Sequence, residues 1–130
     1  MIVDTSAIIA VLKDEPDADE LVGAMVTART CRISAVSYVE AGVVTDGNQN
    51  PVLSRRLNDV LRDLKIQVES VTPQQAEIAR QAYRDFGKGR HKAGLNFGDC
   101  FAYALAKEKD EPLLFKGNDF RHTDVESAEV

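Results

Sequence analysis

Met1-Ile2-Val3-Asp4-Thr5-Ser6 runs without a break into Ala7-Ile8-Ile9-Ala10-Val11-Leu12. Three apolar residues ending on an acid read as a short buried strand, and residues 6–12 read as the helix that follows it. The same succession recurs along the chain. Cys31–Ser34, residues 66–71 and residues 112–115 are the next expected strands, and Val125 is expected in a fifth, short one. Between them lie expected helices from Pro16 to Val26, over 37–44, over 51–64, from Thr72-Pro73 to Phe86, and over 97–107. Proline marks three of these beginnings, at Pro16, Pro51 and Pro73, and Thr72 adds an N-cap to the third. Strands alternating with helices predict an α/β fold, a short parallel sheet with helices on both faces. In such sheets ligands bind beyond the carboxyl ends of the strands.

The chain has 130 residues, 44% of them hydrophobic and 28% charged, which predicts one compact domain over residues 1–130. The longest apolar stretch, Ala7 to Leu12, is too short to cross a bilayer. An acid as early as Asp4 argues against a signal peptide. Cys31 and Cys100 form no CxxC pair, which argues against a zinc ribbon or a disulfide scaffold and for a cytoplasmic protein. Sixteen basic and 21 acidic residues leave a net charge of −5. Taken alone, that argues against a bulk electrostatic grip on nucleic acid. It leaves room for phosphate contact through a metal and a local basic patch.

Four acids fall where such a fold places its chemistry. Asp4 and Asp119 follow the first and fourth strands, while Glu40 and Asp99 lie near helix starts. Each also has a plain local role. Asp4 or Thr5 suits the first helix as a cap. Ser37-Tyr38-Val39-Glu40 matches a capping box, Asn96 to Asp99 permits another, and Asp119 suits a turn. Taken together, they can converge on one edge of a parallel sheet. Clustered carboxylates repel one another unless a cation is present, and a hard divalent ion, Mg²⁺ or Mn²⁺, suits oxygen ligands best. Such a site favours phosphodiester hydrolysis by metal-activated water.

The opening Met1-Ile2-Val3-Asp4-Thr5-Ser6-Ala7 resembles the start of a PIN-domain protein. The Ser37–Glu40 helix, Asn96-Phe97-Gly98-Asp99-Cys100 and the Leu113-to-Phe120 turn follow in the order of that family. The set is most similar to the VapC group of toxins, ribonucleases of type II toxin–antitoxin pairs, and the likeness spans essentially the whole chain. The resemblance implies a three-layer α/β/α PIN-like domain and a Mg²⁺-dependent endoribonuclease, with Mn²⁺ as a substitute. It implies Asp4 and Asp99 as metal ligands, with Glu40 and a fourth acid completing the catalytic cleft. Phe115 and Gly117 stand where many PIN domains carry Thr and an acid. The fourth acid is therefore assigned to Asp119, with Asn118 as a stand-in. Thr5 and Ser6 are expected to hold Asp4 through hydrogen bonds. A VapB-like antitoxin placing a basic side chain in the cleft is also implied, as is a homodimer. The helical stripes at 17–28 and 51–64 serve such contacts or the core equally well.

A run of cations supplies the affinity for RNA that net charge lacks. Arg84, Lys88, Arg90, His91 and Lys92 precede Asp99 among flexible glycines, and Lys116 adds to them; a solvated face is the plainer alternative. Of these, Arg84, Lys88, Arg90 and Lys92 are the candidate RNA contacts. His91 and His122 show no pairing that a metal-free ribonuclease would need. A receiver-like domain needs paired acids after the first strand, a haloacid-type phosphatase needs an acid where Ser6 stands, and dinucleotide binding needs a glycine-rich turn. The remaining rival is a catalytically silent PIN-like domain that acts through protein contacts.

Overall fold

A computed structural model describes residues 1–130. Four strands form one sheet: β1 (Ile2–Val3), β2 (Cys31–Ser34), β3 (Ile66–Glu69) and β4 (Leu113–Leu114). Six helices connect or flank them: α1 (Thr5–Leu12), α2 (Ala18–Thr27), α3 (Ala35–Gly47), α4 (Pro51–Asp63), α5 (Pro73–Phe86) and α6 (Phe97–Lys109). A 3-10 turn at Asp119–His122 follows β4. All strand pairs are parallel, in the order β3-β2-β1-β4. Ile2 pairs with Arg32 on one side and Leu113 on the other.

Successive side chains of a strand point to opposite faces, and this divides the core in two. Ile2 and Leu113 pack under α5 and α6 with Ala79, Ala82, Tyr103 and Leu105. Val3, Ile33 and Leu114 pack against α1 to α4 with Ile8, Leu12, Leu21, Met25 and Leu57. The result is three layers, α/β/α. The chain builds outward from β1 to β3 and then returns to the other side of β1, so the strand order reverses between β1 and β4. The crevice at that reversal is where open α/β sheets bind ligands. No helix is long and apolar enough to cross a membrane.

Several local expectations are corrected. β3 stops at Glu69 and lies at the sheet's edge. There is no fifth strand: Ser127 makes an isolated bridge to Leu113, while Val125 is buried in the α5–α6 core. Helix α3 begins at Ala35, because Ser34 at the end of β2 caps it by accepting from the Val36 N–H at 3.2 Å. Ser37 is thus inside the helix and wholly buried, so the Ser37–Glu40 capping box does not exist. The stripes of α2 and α4 face the core through Leu21, Met25 and Leu57, with Leu53, Val60, Leu61 and Leu64 packed beside them, whereas Val26 turns outward.

Candidate active site

Asp4 follows β1 directly and caps α1. Its Oδ2 accepts from the Ser6 N–H at 3.0 Å and from the Ser6 hydroxyl at 2.6 Å. The Ser6 oxygen in turn accepts from the Lys116 N–H at 3.0 Å, and the Asp4 N–H donates to Leu114 O at 2.9 Å. The exits of β1 and β4 are thereby sewn together at the strand-order reversal. Asp4 is buried, and its Oδ1 has no hydrogen-bond partner. Burial pushes its carboxyl up from the ordinary range; the Ser6 bonds oppose that, and the Glu40 charge adds to it. Ser6 does what the sequence suggested. The Thr5 hydroxyl does not: it donates to Ser37 O at 3.0 Å and fastens α1 to α3.

Asp99 sits in the first turn of α6 within a complete capping box. Its N–H donates to Asn96 Oδ1 at 2.8 Å, and its Oδ2 accepts from the Asn96 N–H at 3.0 Å. Burial lifts its carboxyl to about 7; the Asn96 bond opposes this, while the charges of Asp4, Glu40 and Asp119 reinforce it. All four sequence-selected acids therefore share one electrostatic neighbourhood. Glu40, half-buried on α3, approaches across the cleft to Gly98 of α6. A Cβ on Gly98 would land on the Glu40 carboxylate. Gly98 is thus a site-shaping residue that the sequence reading passed over; its one signal was a glycine inside the first turn of an otherwise apolar helix.

Asp119 opens the 3-10 turn, exposed at the rim, with Asn118 exposed beside it. Lys116 is not free for phosphate, because its ammonium pairs with Glu15 and, at 3.1 Å, with Asp17. Arg84, Lys88, Arg90 and Lys92 are exposed and take part in no ion pair. Their loop is more constrained than its glycines suggest. Lys88 N–H donates to Leu95 O and Leu95 N–H to Phe86 O, both at 2.9 Å, and Ala93 is buried. His91 is occupied in that closure: its Nδ1 accepts from the Ala93 N–H at 3.0 Å, and its ring stands edge-on to Phe86. His122 is exposed.

An unpartnered buried carboxylate oxygen is costly, and so are like charges held together. A divalent cation relieves both, so the Asp4 Oδ1 and the carboxylates around it suit one. No three of the chain's Asp, Glu, His and Cys side chains are gathered closely enough to hold an ion by themselves.

The PIN domain family model matches residues 1–126. Ribonuclease VapC28 of Mycobacterium tuberculosis is 55% identical over 129 residues, covering 98% of this chain and 97% of that protein. Ribonuclease VapC of Mycolicibacterium smegmatis is 48% identical over 125 residues, covering 96% and 97%. Among solved structures, VapBC2 from Rickettsia felis, bound to a DNA fragment from its promoter, superposes with a TM-score of 0.77 at 10% identity, covering 98% and 96%. Mycobacterium tuberculosis VapC20, a Sarcin-Ricin loop cleaving toxin, superposes with a TM-score of 0.72 at 18% identity, covering 95% of each chain. The fold, the family match and the identity to curated relatives agree: this chain belongs to the PIN-domain family, among the VapC ribonucleases.

Proposed function

We propose that this chain is the ribonuclease toxin of a type II toxin–antitoxin pair, hydrolysing RNA in the cytoplasm at the acidic cleft with Mg²⁺ or Mn²⁺ held by Asp4 and Asp99. The observation that carries this reading is the buried, unpartnered Asp4 Oδ1 in a neighbourhood shared with three more carboxylates. Bound there, a divalent cation supplies charge neutralisation at the phosphate and a more acidic attacking water. The chain's own groups do the positioning. Ser6 fixes Asp4 Oδ2, and Asn96 fixes Asp99 Oδ2, so the other oxygen of each carboxylate is free of these bonds. Glu40 closes the cleft opposite Gly98, and Asp119 completes it at the rim. Arg84, Lys88, Arg90 and Lys92 hold the RNA phosphates.

The same cleft explains how a partner silences the toxin. A basic antitoxin side chain, an Arg in the bidentate form above all, satisfies two carboxylates at once and excludes phosphate. The toxin is taken to act as a homodimer.

End chemistry and chelation together test the mechanism. Water attacking phosphorus in line expels the 3′-oxygen, so fragments carry a 5′-phosphate and a 3′-hydroxyl. Cutting stops in EDTA and returns with added Mg²⁺ or Mn²⁺. Cyclic 2′,3′-phosphate ends, or cutting that persists in EDTA, would overturn the four-acid assignment. A chain that never cuts RNA in any metal would be an interaction module.

A further inference from the structure

We propose that Tyr103 and Asp124 form a latch that positions Asp119 relative to Asp99; this rests on the four-acid reading above and assigns what holds its fourth member in place. Asp119 is exposed, and Asn118, which opens its turn, makes no side-chain cap bond. The place of Asp119 therefore depends on the backbone that carries it. Polar contacts tie that backbone to the rest of the chain on either side. Upstream, the Lys116 N–H donates to the Ser6 hydroxyl oxygen, next to Asp4. Downstream, the Tyr103 hydroxyl donates to Asp124 Oδ1 at 2.6 Å, and the Lys107 ammonium donates to Asp124 Oδ2 at 3.2 Å. Between these ties the hydrogen bonds are internal. Arg121 N–H donates to Asn118 O, and both the N–H and the hydroxyl of Thr123 donate to Phe120 O.

One helix links the latch to the site. Asp99, Tyr103 and Lys107 stand four residues apart on α6 and so share one helix face. The metal-binding acid and both donors of the latch are thus fixed to the same rod. The Tyr103 ring is held in turn, buried and 5.8 Å from the Phe86 ring of α5. Phe120 and Val125 bury their side chains in the α5–α6 core and set the depth of the segment. Apolar burial is non-directional, however, and a short bond to a carboxylate supplies the direction. Burial, and then the Asp124 bond, push the Tyr103 hydroxyl up, while that bond pulls the Asp124 carboxyl down. Donor and acceptor therefore keep complementary forms. At the other end, Asp119 lies near enough to add its charge to the burial that lifts the Asp99 carboxyl.

Tyr103→Phe keeps the packed ring, and Asp124→Ala changes an exposed residue, so both full-length variants are expected to fold. In EDTA, amide hydrogen exchange over residues 118–124 should quicken at least about tenfold in each variant while α6 stays protected. With Mg²⁺, kcat for RNA cleavage should fall about tenfold and KM should stay within about twofold. Mn²⁺ binding, followed by electron paramagnetic resonance, separates positioning from plain stability. The Mn²⁺ dissociation constant should rise about fivefold when the latch is broken in wild type, but less than about twofold when it is broken in Asp119→Asn, where no carboxylate is left to position. Asp4 and Asp99 remain in that background and keep the binding measurable. Equal rises in the two backgrounds would make the latch a structural tie only, and unchanged exchange with unchanged Mn²⁺ affinity would remove it; either overturns the proposal. If Asp119→Asn alone leaves kcat and Mn²⁺ affinity at wild-type values, the assignment of Asp119 as fourth acid falls, and the latch's role with it.

Discussion

Replacing Asp99 by Asn should make the metal-free protein more stable at pH 8 while removing its nuclease activity. Asn keeps an oxygen that can accept from the Asn96 N–H and leaves the Asp99 N–H bond to Asn96 untouched, so the α6 cap survives. What it removes is the charge that burial and three neighbouring acids disfavour. An acid whose proton is held more tightly in the folded state stabilises the fold below its unfolded pKa, and that stability is lost as pH rises through the folded pKa. The window for Asp99 therefore runs from 3.8 to about 7. A tenfold bias in proton affinity is worth about 1.4 kcal/mol, which sets an upper bound on the order of 4 kcal/mol for this carboxyl. Solvent reaching its exposed side reduces that to about 1–2 kcal/mol, a rise in Tm of about 5 °C for a domain of this size. Thermal melts in EDTA from pH 4 to 8 read the effect. The variant's advantage should be largest above pH 7 and shrink toward zero near pH 4, and added Mg²⁺ should stabilise wild type more than the variant. An advantage independent of pH, or a lower Tm at pH 8, would refute the reasoning that four charges converge on α6.

Three further outcomes follow from the same geometry. Glu40→Gln should lower RNA cleavage by about 100-fold or more with little change in Tm, since Ser34 and not Ser37 caps α3; a parallel loss of stability would assign Glu40 to the fold instead. Gly98→Ala should cut activity more than about tenfold by pushing the Glu40 carboxylate aside, while a helix-favouring methyl keeps the Tm level or raises it; full activity would remove Gly98 from the site. With Asp99→Asn as an uncleaving background, adding Arg90→Ala and Lys92→Ala should weaken RNA binding and flatten its log–log salt slope by about 1.4, two single-strand phosphate contacts; an unchanged slope would make the loop a solvated face.

What was legible in the sequence was local. Asp4 at a strand end, the Asn96–Asp99 box and the Thr72-Pro73 helix start depend on residues within one turn of each other, and the fold agrees with each. The misreadings share the opposite property. Ser37-x-x-Glu40 satisfies a capping pattern, but Ser34 is an equally good cap three residues earlier, and β2 decides between them by carrying Ser34 to the start of the helix. Lys116 is neutralised by Glu15 and Asp17, about a hundred residues away in sequence. Gly98 matters only because α3 brings Glu40 against it.

The harder question in the sequence was whether Asp4 and Asp99 cap a helix or do chemistry, and a cap does not exclude the second role. A carboxylate has two oxygens. Asp4 gives Oδ2 to Ser6 and leaves Oδ1 bare, and Asp99 gives Oδ2 to the Asn96 N–H. The cap is what immobilises the acid, and an immobilised acid is what a preorganised site requires. It follows that, for an acid that also caps a helix, loss of stability in a mutant cannot by itself identify it as structural. The informative comparison is between two substitutions at one position. Asp→Asn keeps the capping oxygen and removes the charge, whereas Asp→Ala removes both and should cost about 1 kcal/mol of cap. An acid serving both purposes loses activity in either variant and stability only in the second.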